Sequence, residues 1–224
     1  MLQTTYVLHS RRYGDSSLLV EMFGPDAGRV AGIAKGVLKG RRGGPNWQPF
    51  QPLLVELRGR GEVQTVGRCE SAGPPLPLQG RAIYCGMYLN ELLLRLTARH
   101  DPSPGLFTEY VGALERLSGN VPIEPVLRRF EVRLLGHLGL GLSLSRDTQG
   151  RPLISDSHYT YDVETGCALC RANEAGALSG TTLLALASGE FPDADSLREA
   201  RVLMRRVLNH HLDGKPLVSR ELFR

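Results

Sequence analysis

The sequence predicts an α+β, multidomain chain in which a small N-terminal β-barrel precedes a mainly α-helical domain with a small irregular or β insert. Three observations support this. Five short β-type runs fill the first 70 or so residues, a proline-rich stretch follows at 72–80, and the apolar period then changes from two to about 3.6. With 224 residues and 42% hydrophobic residues, the chain is long enough for real cores.

The β-type runs cover residues 4–12, 16–23, 29–36, 52–58 and 63–71, and short turns separate all but the third and fourth. A long glycine-rich connection joins those two. Closure into a barrel would remove the exposed strand edges, so an OB-fold suits this spacing, and an SH3-like barrel fits almost as well. The segment "AGPPLPLQG", residues 72–80, is expected to end the barrel and to act as a stiff linker. The predicted domains are therefore 1–78 and 79–224.

Helical periodicity begins after the linker. The first helix, 81–99, is apolar on most faces and is expected to be buried; the other helices are expected at 105–118, 124–139, 179–189 and 192–214. In the last of these, a buried stripe is predicted to consist of Leu197, Ala200, Met204, Val207 and Leu208. Residues 140–178 are less regular, and "SDSHYTYDVETGCALC" indicates a strand or hairpin insert.

The positive charge lies in the first third of the chain. Residues 1–80 hold ten Lys/Arg against six Asp/Glu, whereas the rest is balanced. Within residues 29–60 a single acid, Glu56, faces seven cations: Arg29, Lys35, Lys39, Arg41, Arg42, Arg58 and Arg60. Clustered cations beside glycines are expected to bind a polyanion, because a flexible backbone lets several cations converge on successive phosphates; a solvated hairpin tip is the alternative.

Two aromatic residues follow this basic loop. Trp47 could provide a platform on which a base stacks, or could pack inside the barrel. For Phe50, which lies between prolines on an apolar strand, core packing is the favoured interpretation.

No catalytic constellation is visible, so the sequence predicts a protein that is not an enzyme and needs no cofactor. "DGKP" at 213–216 lacks the spacing of a phosphate loop, and the six histidines form no HExxH pattern. Cys167 and Cys170 have the spacing of half a zinc site, for which His158 would have to be recruited, and Cys69 and Cys85 are isolated. We expect free thiols, no metal, no membrane span and a cytoplasmic location.

On the third helix, Arg128, Val132 and Leu135 stand at i, i+4 and i+7. A guanidinium beside an apolar groove could receive a peptide that ends in hydrophobic residues and a carboxylate. A snorkelling arginine over an ordinary helix interface is the alternative.

Ordered blocks along nearly the whole chain resemble one family, the bacterial DNA repair and recombination mediators called RecO. The blocks are "VLHSRRYGDSSLLVEMF", "GRVAGIAKG", "FQPLLVELRGRGEVQTV", "IYCGMYLNELLLRL", "LRRFEVRLLGHLG", "FPDADSLREAR" and "GKPLVSRELFR". The resemblance implies an N-terminal OB-fold and a helical domain, without enzymatic activity, and a location at the nucleoid within the cytoplasm. It implies binding of single- and double-stranded DNA, annealing of complementary strands, and loading of RecA with RecR onto DNA coated by single-stranded DNA-binding protein (SSB).

The resemblance also suggests sites. The DNA-binding surface would include Arg29, Lys35, Lys39, Arg41 and Arg42, and the acidic, apolar-ended SSB tail would bind at Arg128 and Arg129. Some members carry a four-cysteine zinc site, whereas this chain has one CxxC, so it is similar to the zinc-free branch. Two rival functions are a protein adaptor and an RNA-binding OB module of translation.

Overall fold

The computed structural model describes residues 1–38 and 46–223, without the side chain of residue 223. Five strands form a closed barrel in the order β1-β2-β3-β5-β4. Their bounds are β1 Gln3–Tyr13, β2 Ser17–Gly24, β3 Gly28–Ala34, β4 Pro52–Arg58 and β5 Val63–Ser71. The predicted runs are thus confirmed to within two residues at each end.

Two pairings close the barrel. β1 pairs antiparallel with β4, and β3 pairs in parallel with β5. Since this is the Greek-key closure of the OB-fold, the OB prediction is confirmed over the SH3-like alternative. Inward-facing side chains of alternate strand positions fill the barrel: Val7, Val20, Met22, Val30, Ala34, Leu53, Val55 and Val66, joined by Trp47 from the β3–β4 connection.

The remaining elements are mostly helical. The helices are α1 Arg81–Leu96, α2 Pro104–Ser118, α3 Ile123–His137, α4 Gly180–Ser188 and α5 Ala194–His211, followed by a 3₁₀ helix, Val218–Phe223. The expected hairpin is present between α3 and α4 as β6 His158–Asp162 and β7 Gly166–Cys170, and β8 Leu178–Ser179 adds to β6. The α+β prediction is confirmed.

The α5 stripe differs from expectation at one position. Leu197 is only half-buried, while Ser196 and Leu203 join Ala200, Met204, Val207 and Leu208 in the buried face. Ser196 lies in the first turn of α5, where Asp193, the N-cap residue, accepts a hydrogen bond from its backbone N–H at 2.7 Å. The first turn of the helix is therefore fixed by its cap rather than by an apolar side chain.

The chain forms two compact units, and their boundaries do not coincide with the change from strands to helices, which lies between Ser71 and Arg81. One unit comprises residues 1–121 together with the stretch from Leu217, and the other comprises Pro122–Pro216. Helix α2 belongs with the barrel because Phe107 and Tyr110 pack on the rings of Tyr6 and Phe23, with ring centroids 5.9–6.1 Å apart.

The proline-rich segment is also part of the first unit. Leu76 donates its backbone N–H to the carbonyl of Phe50 at 3.2 Å, and the side-chain amide of Gln51 donates to the carbonyl of Gly73 at 2.7 Å. The expected stiff linker is thus fastened to the residues that precede β4. No helix of the described residues has the length and apolarity needed to cross a membrane.

Candidate nucleic-acid interface

Four exposed cations of the barrel have no carboxylate within 4.0 Å among residues 1–38 and 46–223. Arg11 and Arg12 lie near the end of β1, Lys35 follows β3, and Arg60 lies in the β4–β5 turn. The positive charge of a cation without an acidic neighbour is not compensated locally, so the cation is available to pair with an incoming anion. Lys35 and Arg60 are predicted site residues, whereas sequence reasoning missed Arg11 and Arg12.

Strand register brings three of these cations to one end of the barrel. Arg12 pairs with Leu18 of β2, Leu18 pairs with Ala34 of β3, and Lys35 is the next residue after Ala34. The cations of β1 and β3 therefore flank β2. Tyr13, 52% exposed, pairs with Ser17 beside them and adds an aromatic ring.

Arg60 lies farther along the same surface. The β4–β5 turn leads into Val63, which pairs with Ala31 of β3. The face of β2 and β3 is thus bordered by the β1–β2 turn on one side and the β4–β5 turn on the other. This is the surface and these are the two loops with which OB-folds generally bind oligonucleotides.

Arg29, also predicted to contact phosphate, forms contacts within the protein instead. Its Nε and Nη2 donate to the carbonyl oxygen of Thr97 at 3.1 and 2.8 Å, and its Nη1 lies 3.3 Å from Glu21. Its side chain is 15% exposed. Arg99 also donates to Glu21, so two guanidiniums share one carboxylate. Arg29 holds residues 97–101 against the barrel, and its expected role in DNA binding is corrected accordingly.

Two further barrel arginines are neutralised on the surface. Arg58 and Arg68 form ion pairs with Glu56 and Glu70 at 2.8 and 3.1 Å. The side-chain hydrogen bond from Arg58 lowers the pKa of Glu56, which stays ionised as its partner. The barrel thus has two classes of cation, those with an acidic partner and those without.

Of the basic loop, only its first part is described. Lys35 is exposed, while the predicted residues Lys39, Arg41 and Arg42 lie outside the described residues.

Trp47 is only 7% exposed and packs with the barrel core. Its ring therefore offers no exposed face for base stacking, and the core interpretation is the one the structure favours. Phe50 is 8% exposed, and its ring lies so close to Gly86 of α1 that a Cβ atom added to this glycine would be only 2.7 Å from the ring. Phe50 therefore packs closely against α1, which is the core packing that its apolar sequence context predicts.

The predicted peptide-binding residues of α3 are largely enclosed. Arg128 is 6% exposed, and its Nη2 lies 2.7 Å from Oε1 of Glu131, which is fully buried. Leu135 is fully buried too, while Val132 and Arg129 are half-buried. The expectation of an exposed guanidinium at Arg128 is wrong. The guanidinium is buried because it forms an ion pair with Glu131, three residues later on the same helix. Arg129 and Val132 are the two members that keep access to solvent.

The cysteine pair does not form half of a tetrahedral site. Cys167 and Cys170 lie three residues apart on β7, and since successive strand residues alternate, their thiols point to opposite faces. Cys167 donates to the carbonyl of Ser143 at 3.3 Å, and burial raises its pKa to about 11. His158 lies opposite Cys170 in the register. In the part of the chain that the structure describes, no three His, Cys, Asp or Glu residues converge as metal ligands.

Comparison with known proteins decides the family. The model for "Recombination protein O N terminal" matches residues 1–75, and that for "Recombination protein O C terminal" matches residues 77–221. The chain belongs to the RecO family. It is 46% identical over 223 residues to "DNA repair protein RecO" of Pseudomonas aeruginosa strain LESB58, an alignment that covers 99% of this chain and 94% of the relative.

Other RecO proteins show similar agreement. That of Methylococcus capsulatus is 44% identical over 226 residues, covering 100% of this chain and 93% of the relative. That of Pseudomonas putida strain GB-1 is 45% identical over 222 residues, covering 99% and 96%. RecO membership assigns the chain a role in DNA repair and recombination.

Proposed function

We propose that this RecO protein is a DNA-binding recombination mediator. It binds single- and double-stranded DNA, anneals complementary strands, and acts with RecR to load RecA onto SSB-coated single-stranded DNA. The observation that carries the DNA-binding part is the set of exposed barrel cations without an acidic partner: Arg11, Arg12, Lys35 and Arg60. Family membership supports the remainder.

Binding through this surface is electrostatic and independent of sequence. Each cation that neutralises a phosphate releases condensed counterions, so affinity falls as salt rises. Phosphate contacts position a strand but do not read its bases. A protein that reads no bases leaves their edges free to pair, as annealing requires.

Annealing on this surface needs no ATP and no catalytic group. Base pairing supplies the free energy, and the protein only reduces the repulsion between two strands and the obstacle that SSB presents. Since annealing breaks and forms no covalent bond, the proposed function requires neither enzymatic activity nor a metal or other cofactor.

Recruitment by SSB is assigned to α3. Of the residues predicted to bind the tail, Arg129 and Val132 are the two that are only partly buried. A guanidinium beside an apolar residue suits a tail that is acidic and ends in apolar residues. Arg128 and Glu131 form a buried ion pair within α3, and in this proposal they do not contact the tail.

The deciding experiment is annealing of complementary oligonucleotides coated with SSB, without ATP, run in parallel with SSB that lacks its acidic tail. We expect tail-dependent annealing by the wild type. The quadruple variant Arg11→Ala, Arg12→Ala, Lys35→Ala, Arg60→Ala should anneal slowly, and its salt slope should fall by up to about 3 if each cation contacts one phosphate.

Arg198→Ala is the matched control, since Arg198 is an exposed arginine that already has an acidic partner, Asp195, at 2.8 Å. It should leave the salt slope unchanged. A folded wild type that anneals with neither form of SSB would support the adaptor alternative, and preference for RNA over DNA would support a role in translation.

A further inference from the structure

We propose that Tyr13 is a stacking subsite for an unstacked base, and that it makes the barrel bind single-stranded DNA more tightly than duplex. The inference rests on the proposed function, because it adds a discriminating contact to the same surface. Arg11 is assigned to the phosphate beside that base.

The position of Tyr13 differs from that of every other aromatic residue of the barrel. Tyr6, Phe23, Trp47 and Phe50 are each at most 8% exposed, whereas Tyr13 is 52% exposed. Tyr13 is the last residue of β1, and Gly14, with a φ of 63°, begins the tight turn to β2. The ring therefore stands at the rim of the barrel with no core to fill.

Strand register puts Tyr13 and Tyr6 on the same outer surface. Their partners on β2, Ser17 and Phe23, are six residues apart and so face the same side. The irregularity of β1 between Val7 and His9 allows this, because Tyr6 and Tyr13 are an odd number of residues apart. Helix α2 packs on Tyr6 through Phe107 and Tyr110, whereas no aromatic ring of residues 1–38 or 46–222 packs on Tyr13 in this way.

The neighbours of Tyr13 on this outer surface combine apolar area with positive charge. Arg11, two residues before it, is exposed and pairs with Leu19 of β2, and Leu19 pairs with Ile33 of β3. Both of these apolar side chains are half-buried, so part of each remains in contact with solvent. Lys35 follows two residues after Ile33. An aromatic ring beside an apolar floor and cations is the arrangement that single-strand binding surfaces use.

Stacking on Tyr13 is available to a single strand and not to duplex DNA. A base in a duplex is paired and stacked between its neighbours, so its face reaches a protein ring only after it is unstacked. A single strand offers that face without this cost. The phosphates of both forms reach Arg11, Arg12 and Lys35 equally, so the cations bind both forms and the ring adds affinity for one.

The test compares wild-type protein with Tyr13→Ala and Tyr13→Trp on an oligothymidylate and on a duplex of the same length, by fluorescence anisotropy at several salt concentrations. We expect Tyr13→Ala to lose about tenfold in affinity for the single strand, the scale of one stacked base. Its salt slope and its duplex affinity should stay within experimental error, and Tyr13→Trp should keep or improve single-strand binding.

A strand carrying one 2-aminopurine reports stacking directly. Its fluorescence should change on binding to wild type and to Tyr13→Trp, and much less with Tyr13→Ala. Val202→Ala, which removes another exposed apolar side chain, 63% exposed on α5, is the matched control and should behave as wild type.

The outcomes separate this inference from the proposed function. Equal losses for single strand and duplex in Tyr13→Ala, or no loss for either, would overturn the stacking subsite while leaving DNA binding intact. Failure of the folded wild type to bind either form at low salt would instead overturn the proposed function.

Discussion

Tyr110 donates its hydroxyl hydrogen to Oδ1 of Asn90 across 2.6 Å. The same amide group donates through Nδ2 to the carbonyl oxygen of Leu8 at 3.0 Å. Leu8 lies within the irregular part of β1, where the register shifts between Val7 and His9. Asn90 therefore satisfies a strand carbonyl and a tyrosine hydroxyl at once, and joins β1, α1 and α2 through one buried side chain.

Replacing Asn90 by Leu should destabilise the barrel and its helices by about 2–3 kcal/mol, because two buried polar groups lose their partner. Burial already raises the pKa of Tyr110 well above its ordinary value, so the hydroxyl remains a donor at any ordinary pH. Native-state hydrogen exchange of β1 and α1 amides would measure the loss. Tyr110→Phe should cost less, since it leaves the bond to Leu8 in place; a loss equal to that of Asn90→Leu would contradict this.

The two classes of barrel cation should respond oppositely to substitution. Arg29→Met should lower the free energy of unfolding by about 1–3 kcal/mol, since the carbonyl of Thr97 and the carboxylate of Glu21 lose charged donors. The slope of DNA affinity against salt should stay unchanged. Denaturant unfolding and a salt titration measure the two quantities, and a reduced slope in a stable Arg29→Met would restore it to the DNA surface.

Substitutions in the basic loop that begins at Lys35 should change DNA binding rather than stability. The quadruple variant Lys35→Ala, Lys39→Ala, Arg41→Ala, Arg42→Ala should reduce the salt slope of DNA binding while thermal stability changes little. The reason is that Lys35 is exposed without an acidic partner among the described residues, and phosphate contacts through such cations release counterions. An unchanged slope would remove the loop from the mechanism.

Arg128→Ala should destabilise the unit of residues 122–216 by about 3 kcal/mol, because Glu131 is fully buried and loses the guanidinium 2.7 Å away. The double variant Arg128→Met, Glu131→Leu should recover much of that loss, as apolar replacements often do for a buried pair. Calorimetric unfolding of the wild type and these two variants measures both effects. Weakened SSB-tail binding by an Arg128→Ala protein of unchanged stability would return Arg128 to the peptide site.

Glu91 should make the docking of the C-terminal 3₁₀ helix depend on pH. Its carboxylate accepts hydrogen bonds from the N–H of Val218 at 2.9 Å and from the N–H of Ser219 at 2.8 Å. Burial alone would raise the pKa of Glu91, but the bonds from Ser219 and Val218, together with nearby Arg95, lower it overall. A depressed pKa in the folded state means stability that is present above the ordinary glutamate value and lost as pH falls through the folded value.

The wild type should therefore melt at a higher temperature than Glu91→Gln at pH 7, and the difference should shrink as the solution is acidified below about pH 4. Glu91→Gln is a matched variant, since its neutral amide can still accept hydrogen bonds. A difference in melting temperature that is constant across this range would show that the charge of Glu91 has no part in docking.

The sequence predicts the elements and the barrel because alternation and turn residues are local signals. Strand pairs such as Leu18 with Ala34 follow once the turns are placed. Arg29 is different, since its partner Thr97 is 68 residues away and nothing near Arg29 indicates it. Charge clustering along the chain therefore groups a structural arginine with the cations proposed to bind DNA.

For other residues, the neighbouring sequence does indicate their placement. Glu131 stands three positions after Arg128, the spacing at which opposite charges pair on a helix. Arg11 and Tyr13, two apart before a glycine turn, have the spacing of one strand face. Trp47 could not be placed from its neighbours, because a tryptophan beside a basic loop looks the same whether its ring faces the core or the solvent.

The docking of the C-terminal 3₁₀ helix on α1 also sets an order of events in biosynthesis. The backbone of Val218 reaches Glu91 across 127 residues of sequence, and the whole compact unit of residues 122–216 is encoded between them. A ribosome that adds 5–20 residues per second needs roughly 6–25 seconds for that interval. During that time α1 exposes the Glu91 carboxylate and the surface that Val218–Phe223 will cover. A chaperone or another nascent chain would meet that surface before the protein's own C-terminal segment does.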